Sequence, residues 1–451
     1  MRIPKSLGMN WWTTACISFC AVIGVNLLII SHWRIPFSWA RFVLPLLPLI
    51  YVLAVLRSGL PLNHRPGETQ VLAHLGLANG ITVLRGVLVS ALACFWNWPA
   101  TIPFSIHQSL AWLPGVIYIT AALLDLVDGM VARHTDHVTR LGERLDTLFD
   151  ALGLLTAVLA GIALNQLPLS YLAVALAYYV FSAGIWVRRR TGRMVIPLEP
   201  RPAARLIAGF NMGFVGATLL PIYRPPATTI GAIIFMAPFL AGFLRDWLVV
   251  SGRMKTGHSQ PAPWEKKWRR LFREVQPVVL RAVLLLSFLA ALEKTAACFS
   301  GNAMGPFYFF GPIVRPIFLL SVVLVSLGVM GRLAALPILL LSGLWVSHRA
   351  SDPLWCLLMI AAAGLLITGS GNLSLWQPEE KYLGVSTHPL DPQEKLFVRT
   401  HVINKEAVFQ FESGRVKKIA LPGDEMMAAD INKAEEAVQK QKGDPRLSEP
   451  P

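Results

Sequence analysis

Apolar residues recur along most of this chain in runs that are long enough to cross a bilayer, with short polar loops between them. A helix needs about 20 apolar residues to span the hydrocarbon core, and the pattern predicts roughly twelve such helices. The predicted spans are 11–31, 37–57, 78–97, 108–128, 146–165, 169–187, 205–223, 227–249, 277–296, 306–328, 332–347 and 354–371. No cleavable signal is predicted at the first of them, because no small-residue cleavage site follows it.

The pattern changes after Leu375, where polar residues dominate. The runs KLFVRTHVI, AVFQF and RVKKIAL alternate apolar and polar residues around two turns, which is typical of a small β-meander. A helix-prone segment (DEMMAADINKAEEAVQKQK) and a proline-rich end that we expect to be disordered follow. The chain is therefore predicted to be an all-α polytopic membrane protein with a small α+β cytoplasmic tail.

Composition agrees with a membrane protein. Of the 451 residues, 54% are apolar and 15% are charged, whereas soluble domains carry about 25% charged residues. The five cysteines lie in or beside apolar spans without accompanying histidines, so we expect packing residues and no disulfide or zinc site. They are Cys16, Cys20, Cys94, Cys298 and Cys356.

The formal net charge is +15, and the basic residues are concentrated in alternate loops. By the positive-inside rule, those loops and both termini are expected to face the cytoplasm, as in a bacterial inner-membrane protein. The loops on that side contain Arg2, Lys5, Arg57, Arg65, Arg133, Arg140, Arg144, Arg188, Arg189, Arg190, Arg193, Arg201, Arg205 and the basic segment 252–274. Because the positive charge lies in short loops beside spans, it indicates topology and attraction to lipid, and we expect no nucleic-acid binding.

Four aspartates stand out within this apolar background, in the segment LDLVDGMVARHTDHVTRLGERLDTLFDALG. Asp125 and Asp128 are three residues apart near the end of one predicted helix, and Asp146 and Asp150 are four apart on the next. Each pair therefore shares a helix face. Two helices joined by so short a turn lie side by side, so the four carboxylates can converge at the membrane–water boundary.

Clustered carboxylates repel one another unless a cation lies among them. Oxygen ligands suit Mg²⁺, Mn²⁺ or Ca²⁺, whereas a zinc site would be expected to include Cys or His. Gly129 and Gly142 leave the backbone open to a ligand, Ala132 keeps the same face shallow, and Arg133 offers a positive charge suited to phosphate. The alternative is that these are solvated carboxylates at helix ends; two facing stripes with glycines between them favour a metal site.

The residues in this segment resemble the signature of the CDP-alcohol phosphatidyltransferases. The matching pattern is Asp125-x2-Asp128-Gly129-x2-Ala132-Arg133-x8-Gly142-x3-Asp146-x3-Asp150. Upstream, Asn79-x2-Thr82-x2-Arg85 is similar to an element at the start of the family's first core helix, although Ala78 stands where the family often has proline. Downstream, the segment 201–206 (RPAARL) is loosely similar to a basic loop before the fifth helix.

The resemblance implies an enzyme in which an alcohol attacks a CDP-linked lipid, usually CDP-diacylglycerol, and CMP leaves. The four aspartates would hold two divalent ions, Mg²⁺ or Mn²⁺, and Asp150 would also act as the base. Gly129, Ala132, Arg133 and Gly142 would shape the cytidine and phosphate site, and Asn79, Thr82 and Arg85 would line it. Members of the family often form homodimers, so a homodimer is an expectation here as well.

The acceptor alcohol is not determined by these residues. Arg140, Arg144, Arg201 and Arg205 place positive charge near the expected site, which would suit a phosphorylated acceptor such as glycerol phosphate or inositol phosphate better than serine or choline. His134 and His137 lie in the turn between the two acidic helices and could contact a phosphate, although solvated loop histidines are the simpler interpretation.

The resemblance covers about residues 70–250, so further regions remain to be explained. We expect two N-terminal spans (1–60), a six-helix catalytic domain (61–250), a basic amphipathic linker (251–276), a four-helix membrane domain (277–375) and a soluble tail (376–451). In the four-helix domain, Glu293, Lys294 and Arg315 could form a second ligand site or an interfacial ion pair, and we favour the ion pair.

Two other classes of function are alternatives to the transferase. Twelve spans would suit a transporter or lipid scaffold with a cation-bound acidic cluster, but the acidic motif occurs once and no inverted repeat is visible. A member of the family that has lost its activity would be expected to have lost part of the motif, and all eight positions are intact.

Overall fold

The computed structural model describes most of the membrane region and three strands of the tail. It describes residues 4–35, 38–65, 68, 70–99, 109–135, 138–198, 201–254, 271–292, 311–348, 352–371, 373–376, 399–403, 406–410 and 416–420. The predicted linker lies mostly outside these residues, as do Glu293, Lys294, His137, Cys298 and the expected disordered end.

The helices follow the predicted spans. They are α1 (Lys5–Trp33), α2 (Trp39–Val43), α3 (Leu46–Gly59), α4 (Gly76–Ala91), α5 (Leu113–His134), α6 (Arg140–Ala163), α7 (Leu172–Arg190), α8 (Pro202–Thr218), α9 (Ala227–Val250), α10 (Gln276–Ala290), α11 (Gly311–Leu327), α12 (Gly331–His348) and α13 (Pro353–Thr368). Short 3₁₀ turns lie at Leu60–Leu62, Leu92–Phe95, Ser109–Trp112 and Leu169–Tyr171, and a π-helical turn lies at Leu271–Val275. An all-α polytopic membrane protein is therefore confirmed for the membrane region.

Helix lengths divide the spans into two groups. Within the described residues, eight segments are long and apolar enough to cross a membrane. They are Ser6–Trp33, Trp39–Leu62, Gly76–Phe95, Leu110–His134, Arg140–Ala163, Leu169–Arg190, Ala227–Val250 and Gly331–His348. The predicted spans at α8, α10, α11 and α13 contain described helices of 15 to 17 residues, short of the roughly 20 that a full crossing needs.

Prolines and polar caps account for several helix boundaries. Pro45 separates α2 from α3, so the second predicted span is a broken helix. Pro202 and Pro353 stand at the first position of α8 and α13, where a missing N–H costs nothing. Thr139 begins α6 by accepting a hydrogen bond from the backbone N–H of Gly142, and Asp352 begins α13 by accepting one from Leu354.

The middle of the first bundle is α4, which packs against α3, α5 and α6. About 67% of the most apolar stretch of this helix is buried inside the protein, the largest share among the candidate spans. Gly86 allows α6 to come close, since a Cβ there would lie 2.9 Å from a ring carbon of Phe149. The long helix α1 packs on this bundle, where Trp11 donates a hydrogen bond to the carbonyl of Leu53 on α3. The residues of α4 are thereby held at the centre of the first bundle.

Helices α10 to α13 form a second core that includes Ala227 of α9. Its largest fully buried side chain, Trp355, is 1% exposed and packs against the rings of Phe318 and Trp345. Hydrogen bonds from the hydroxyl of Tyr223 to the carbonyl of Leu340 and from Arg224 N to Ser347 Oγ join this core to the turn before α9. The two helical groups therefore pack as one body.

The tail contains β1 (Arg399–Ile403), β2 (Glu406–Gln410) and β3 (Val416–Ala420). They form an antiparallel sheet in the order β1-β2-β3, with Val402 opposite Ala407 and Val408 opposite Lys418. The β-meander that alternation predicted in the tail is confirmed. This sheet belongs to a separate compact unit, residues 386–451.

Candidate active site

The four aspartates lie on the antiparallel helices α5 and α6. Asp125 and Asp128 are on the last three turns of α5, and Asp146 and Asp150 are on the first three turns of α6. One carboxylate oxygen each from Asp125, Asp128 and Asp146 lies within 4.8 Å of the others. Asp150 is not part of this group of three, although it follows Asp146 on the same helix face.

Arg85 of α4 lies between the two acidic pairs. Its side chain is 3% exposed and forms ion pairs with all four carboxylates. Nη1 contacts Asp125 and lies 3.9 Å from Asp128, while Nη2 lies 2.9 Å from Asp146 and 3.4 Å from Asp150. Within the described ranges, every ion pair to these aspartates comes from Arg85. The cluster is therefore built by three helices, and its centre is a guanidinium.

Charge still does not balance around Arg85. Four carboxylates and one guanidinium leave three formal negative charges in a partly buried site, where unpaired charge is costly. The carboxylates remain accessible, since the side chains of Asp125, Asp146 and Asp150 are 35%, 53% and 38% exposed. The site can therefore accept further cations from outside.

Thr82 fixes the orientation of the most buried aspartate. Asp128 is 8% exposed, and its Oδ2 accepts a hydrogen bond of 2.8 Å from the Thr82 hydroxyl. Thr82 lies one turn before Arg85 on α4, so one helix face supplies both partners of the cluster.

Asn79, one turn earlier still, is bonded to protein groups. It is 2% exposed, its amide donates to Asn63 Oδ1 at 3.2 Å and to the carbonyl of Leu75 at 2.8 Å, and its Oδ1 is 3.3 Å from the Thr139 hydroxyl. Gly142 packs on the same group, because a Cβ there would lie 2.8 Å from Asn79 Oδ1. These contacts fix the start of α6 against α4.

The remaining signature residues lie on the last turns of α5. Arg133 is exposed and its guanidinium reaches back over Gly129, where a Cβ would lie 3.5 Å from Nη1. Ala132 is partly buried beside it, and His134 is exposed at the last position of the helix. The positive charge of Arg133 therefore lies one turn beyond Asp128 on the same helix.

The four arginines expected near the acceptor have different surroundings. Arg140 and Arg144 are exposed on the first turns of α6, and Arg140 lies 3.7 Å from the exposed Glu143. Arg201, just before α8, forms an ion pair with Asp246 of α9, while Arg205 is exposed one turn later.

The donor set fits a hard divalent cation. Mg²⁺ binds oxygen at about 2.0–2.1 Å and Ca²⁺ at about 2.3–2.6 Å, so two oxygens on opposite sides of an ion lie roughly 4–5 Å apart. The oxygens of Asp125, Asp128 and Asp146 fall within that spacing. Among the described residues, this is the group of three acidic, histidine or cysteine side chains that meets the geometry of a metal site.

Sequence reasoning missed two residues of the site, Asn63 and Thr139. Asn63 is fully buried and its amide donates to the carbonyls of Leu72 and His74, which orders the segment before α4. Thr139 is the cap of α6 and bonds to Asn79. A threonine directly before a helical pattern is a cap signal that could have identified Thr139, whereas a lone Asn63 in an irregular loop carries no such signal.

Comparison with known proteins agrees with this geometry. Residues 75–252, which include α4 to α9 and every site residue from Asn79 to Arg205, match the sequence model described as CDP-alcohol phosphatidyltransferase. No curated protein and no solved structure matches the chain significantly. Helices α1 to α3 precede the match and α10 to α13 follow it. Residues 75–252 thus form a region similar to the CDP-alcohol phosphatidyltransferase family, and further membrane helices lie on both sides of it.

Proposed function

We propose that this transferase moves a phosphatidyl-type group from a CDP-linked lipid, such as CDP-diacylglycerol, to an alcohol and releases CMP, as a step of phospholipid synthesis. The observation that carries the proposal is the convergence of Asp125, Asp128 and Asp146 on Arg85 within the matched domain. A negatively charged cradle with hard oxygen ligands suits a diphosphate bound through divalent cations.

Asp125, Asp128 and Asp146 would hold Mg²⁺ or Mn²⁺, with Asp150 at the edge of the set. Bound ions of this kind neutralise the diphosphate and polarise the phosphorus–oxygen bonds. Arg85 and Thr82 keep the carboxylates in position, Arg85 by ion pairs and Thr82 by its hydrogen bond to Asp128. Arg133, whose guanidinium is exposed, is placed to contact a phosphate of the donor.

Asp150 is the proposed base. Its carboxylate accepts the proton of the acceptor hydroxyl, the acceptor oxygen forms a bond to the phosphorus that bears the lipid, and the bond from that phosphorus to the CMP oxygen breaks. CMP leaves with the bonding electron pair. Asp150 suits this role because it is separate from the group of three carboxylates and its side chain is 38% exposed, so an alcohol can approach it.

The acceptor is proposed to carry a phosphate of its own. Arg140, Arg144 and Arg205 are exposed, and their charge is available to an anionic acceptor. Arg201 is a weaker candidate, since Asp246 already pairs with it. Glycerol phosphate and inositol phosphate are therefore preferred over serine and choline.

The active site and both termini are proposed to face the cytoplasm of a bacterial cell, where CDP-linked lipids and phosphorylated alcohols are available. The arginines at the ends of α5, α7 and α8 on the side of the aspartates support this orientation by the positive-inside rule.

The transferase is tested by incubating the purified full-length protein with CDP-diacylglycerol, Mg²⁺ or Mn²⁺ and a panel of alcohols, and by measuring CMP release and the lipid product. We expect CMP release that depends on one acceptor and is lost on adding EDTA, while thiol alkylation leaves it unchanged. The last expectation follows because the described cysteines lie outside the site.

Asp150→Asn is the matched control, since it keeps the shape of the side chain and removes its capacity to take a proton. We expect it to lower the rate by at least 10²-fold, in the range typical of a lost acid–base group. The proposal would be contradicted if, with every alcohol tested, the unsubstituted protein released CMP no faster than Asp150→Asn.

A further inference from the structure

An elongated cavity lies between the matched domain and the second helical core. It has a volume of about 230 Å³ and is lined by α8 and α9 on one side and by α12 and α13 on the other. Along α8 it runs from Gly209 to Thr218, about 14 Å at the rise of an α-helix. One end lies beside Tyr223, in the turn between α8 and α9, away from the end of this hairpin where Arg201 and Asp246 pair.

Glycines on α8 open one wall of this cavity. Gly209 and Gly213 are four residues apart on one face and exposed, and a Cβ at either position would meet no atom within 4 Å. The opposite wall contains Leu339 and Leu340 of α12. Because these two glycines have no side chains, a space remains beside α8 that the neighbouring side chains do not fill.

The lining is uncharged, with polar groups near one end only. Tyr223 donates a hydrogen bond from its hydroxyl to the carbonyl of Leu340, and its oxygen keeps a lone pair for a further donor. Thr228, on the first turn of α9, is 2% exposed, and its hydroxyl has no hydrogen-bond partner within the described part of the chain. The absence of charge from the lining excludes a phosphate or carboxylate as the buried group.

The dimensions decide between a hydrocarbon chain and a helix as occupant. Small-molecule sites have about 300–1,000 Å³, so this cavity is small for its length. A helix is about 10 Å across, so 14 Å of helix would need on the order of 1,000 Å³, far more than the 230 Å³ of this cavity. A single hydrocarbon chain is thin enough. Since α9 is a candidate membrane span and α8 lies within the predicted span 205–223, lipid chains are expected to be the surrounding medium.

We propose that this cavity binds one acyl chain of a membrane glycerolipid, with the neutral glycerol ester near Thr228 and Tyr223 and the chain extending along α8. A small rotation of the Thr228 side chain would let its hydroxyl donate to the ester carbonyl. The site requires α12 and α13, so it is separate from the carboxylate cluster and does not depend on the proposed transfer reaction.

The test uses the full-length protein in nanodiscs that contain phosphatidylcholine with a photoactivatable diazirine in the middle of one acyl chain. After irradiation, labelled peptides are mapped by mass spectrometry. We expect labelling at Met359, which lines the cavity and is 3% exposed, so that bulk lipid cannot reach it. Unlabelled lipid in excess should compete with this labelling.

Gly213→Leu is the blocking variant, because the leucine side chain would extend into the open cavity. The helix should be retained, since leucine has a higher helix propensity than glycine. We expect labelling at Met359 to fall at least fivefold. Gly24→Leu on α1 is the matched control: a Cβ there also meets nothing within 4 Å, and Gly24 does not line the cavity. In this control, the lipid should label Met359 to the same extent as in the unsubstituted protein.

Thr228→Val provides a second measurement, because valine keeps nearly the shape of threonine and removes the hydroxyl proposed to donate to the ester carbonyl. Loss of one neutral hydrogen bond, about 0.5–1.5 kcal/mol, predicts labelling that is roughly twofold to tenfold weaker at limiting lipid. Equal labelling of Met359 in the unsubstituted protein and in Gly213→Leu overturns the proposal. So does labelling confined to exposed helix faces, or a cross-link at Gly213→Cys that joins two copies of the chain through this wall.

Discussion

Arg85 has a role at the level of single residues that its position in the motif did not reveal. The family resemblance placed it in the lining of a nucleotide site, and the structure places its guanidinium against four carboxylates that come from two other helices. Such a contact depends on how α4 packs against α5 and α6, and no spacing within α4 predicts it. The two acidic faces, in contrast, followed directly from spacings of three and four residues.

Arg85→Lys and Arg85→Met test this role. Lysine keeps the positive charge but lacks the planar guanidinium that reaches both pairs of aspartates, so we expect the rate of CMP release to fall by roughly 10-fold. Methionine removes the charge, and we expect the rate to fall by about 10²–10³-fold, as when a preorganised charged group is lost. Both rates are measured as a function of Mg²⁺ concentration. A rate for Arg85→Met above half of the unsubstituted value would show that the guanidinium is dispensable.

The helices were the most predictable elements. Each of the predicted spans contains a described helix, because an apolar run of this length has one stable conformation in a bilayer. The break between α2 and α3 was not predicted, although Pro45 could have indicated it. The connection of α6 to α4 through Thr139 and Asn79 was not predictable, since it joins residues 60 positions apart.

At the level of elements, Gly142→Ala tests whether α6 must lie this close to α4. A Cβ at Gly142 would lie 2.8 Å from Asn79 Oδ1, so the amide must move and its bonds to Asn63 and Thr139 must weaken. We expect CMP release to fall about 10-fold, with a higher Mg²⁺ requirement, because Asp146 lies one turn further along α6.

Gly80→Ala is the control for this variant. Gly80 is the neighbour of Asn79 on α4, and a Cβ there meets no atom within 4 Å. Alanine gains about 1 kcal/mol in helix propensity over glycine, so the melting temperature should hold or rise and the activity should stay unchanged. Equal rates for Gly142→Ala and Gly80→Ala would argue against a tight α4–α6 contact in the working enzyme.

At the scale of the whole molecule, an even number of crossings places both termini on one side of the membrane. Twelve predicted spans, together with basic loops beside the aspartates, are the basis for the proposal that this side faces the cytoplasm. The charge pattern was the only guide to this orientation, because no contact between helices depends on which way the bundle faces.

Reporter fusions test the orientation. A green fluorescent protein joined after residue 451 should fluoresce in cells, and an alkaline phosphatase joined there should stay inactive, because the first matures in the cytoplasm and the second outside it. The same pair joined after Arg224, in the turn between α8 and α9, should give the opposite result. Active phosphatase at the C-terminus would reverse the proposed topology.

The unequal lengths of neighbouring helices have a consequence for the membrane itself. α8 and α13 have 17 and 16 residues, whereas α9, which lies beside both, has 24. At about 1.5 Å per residue, the two short helices cover roughly 24–26 Å of a hydrocarbon core about 30 Å thick. A bilayer accommodates a short lipid-facing helix by local thinning or by snorkelling of flanking residues, at a cost of fractions of a kcal/mol per ångström of mismatch. Where α8 meets lipid, we therefore expect thin bilayers of short or unsaturated chains to suit the protein better than thick ones.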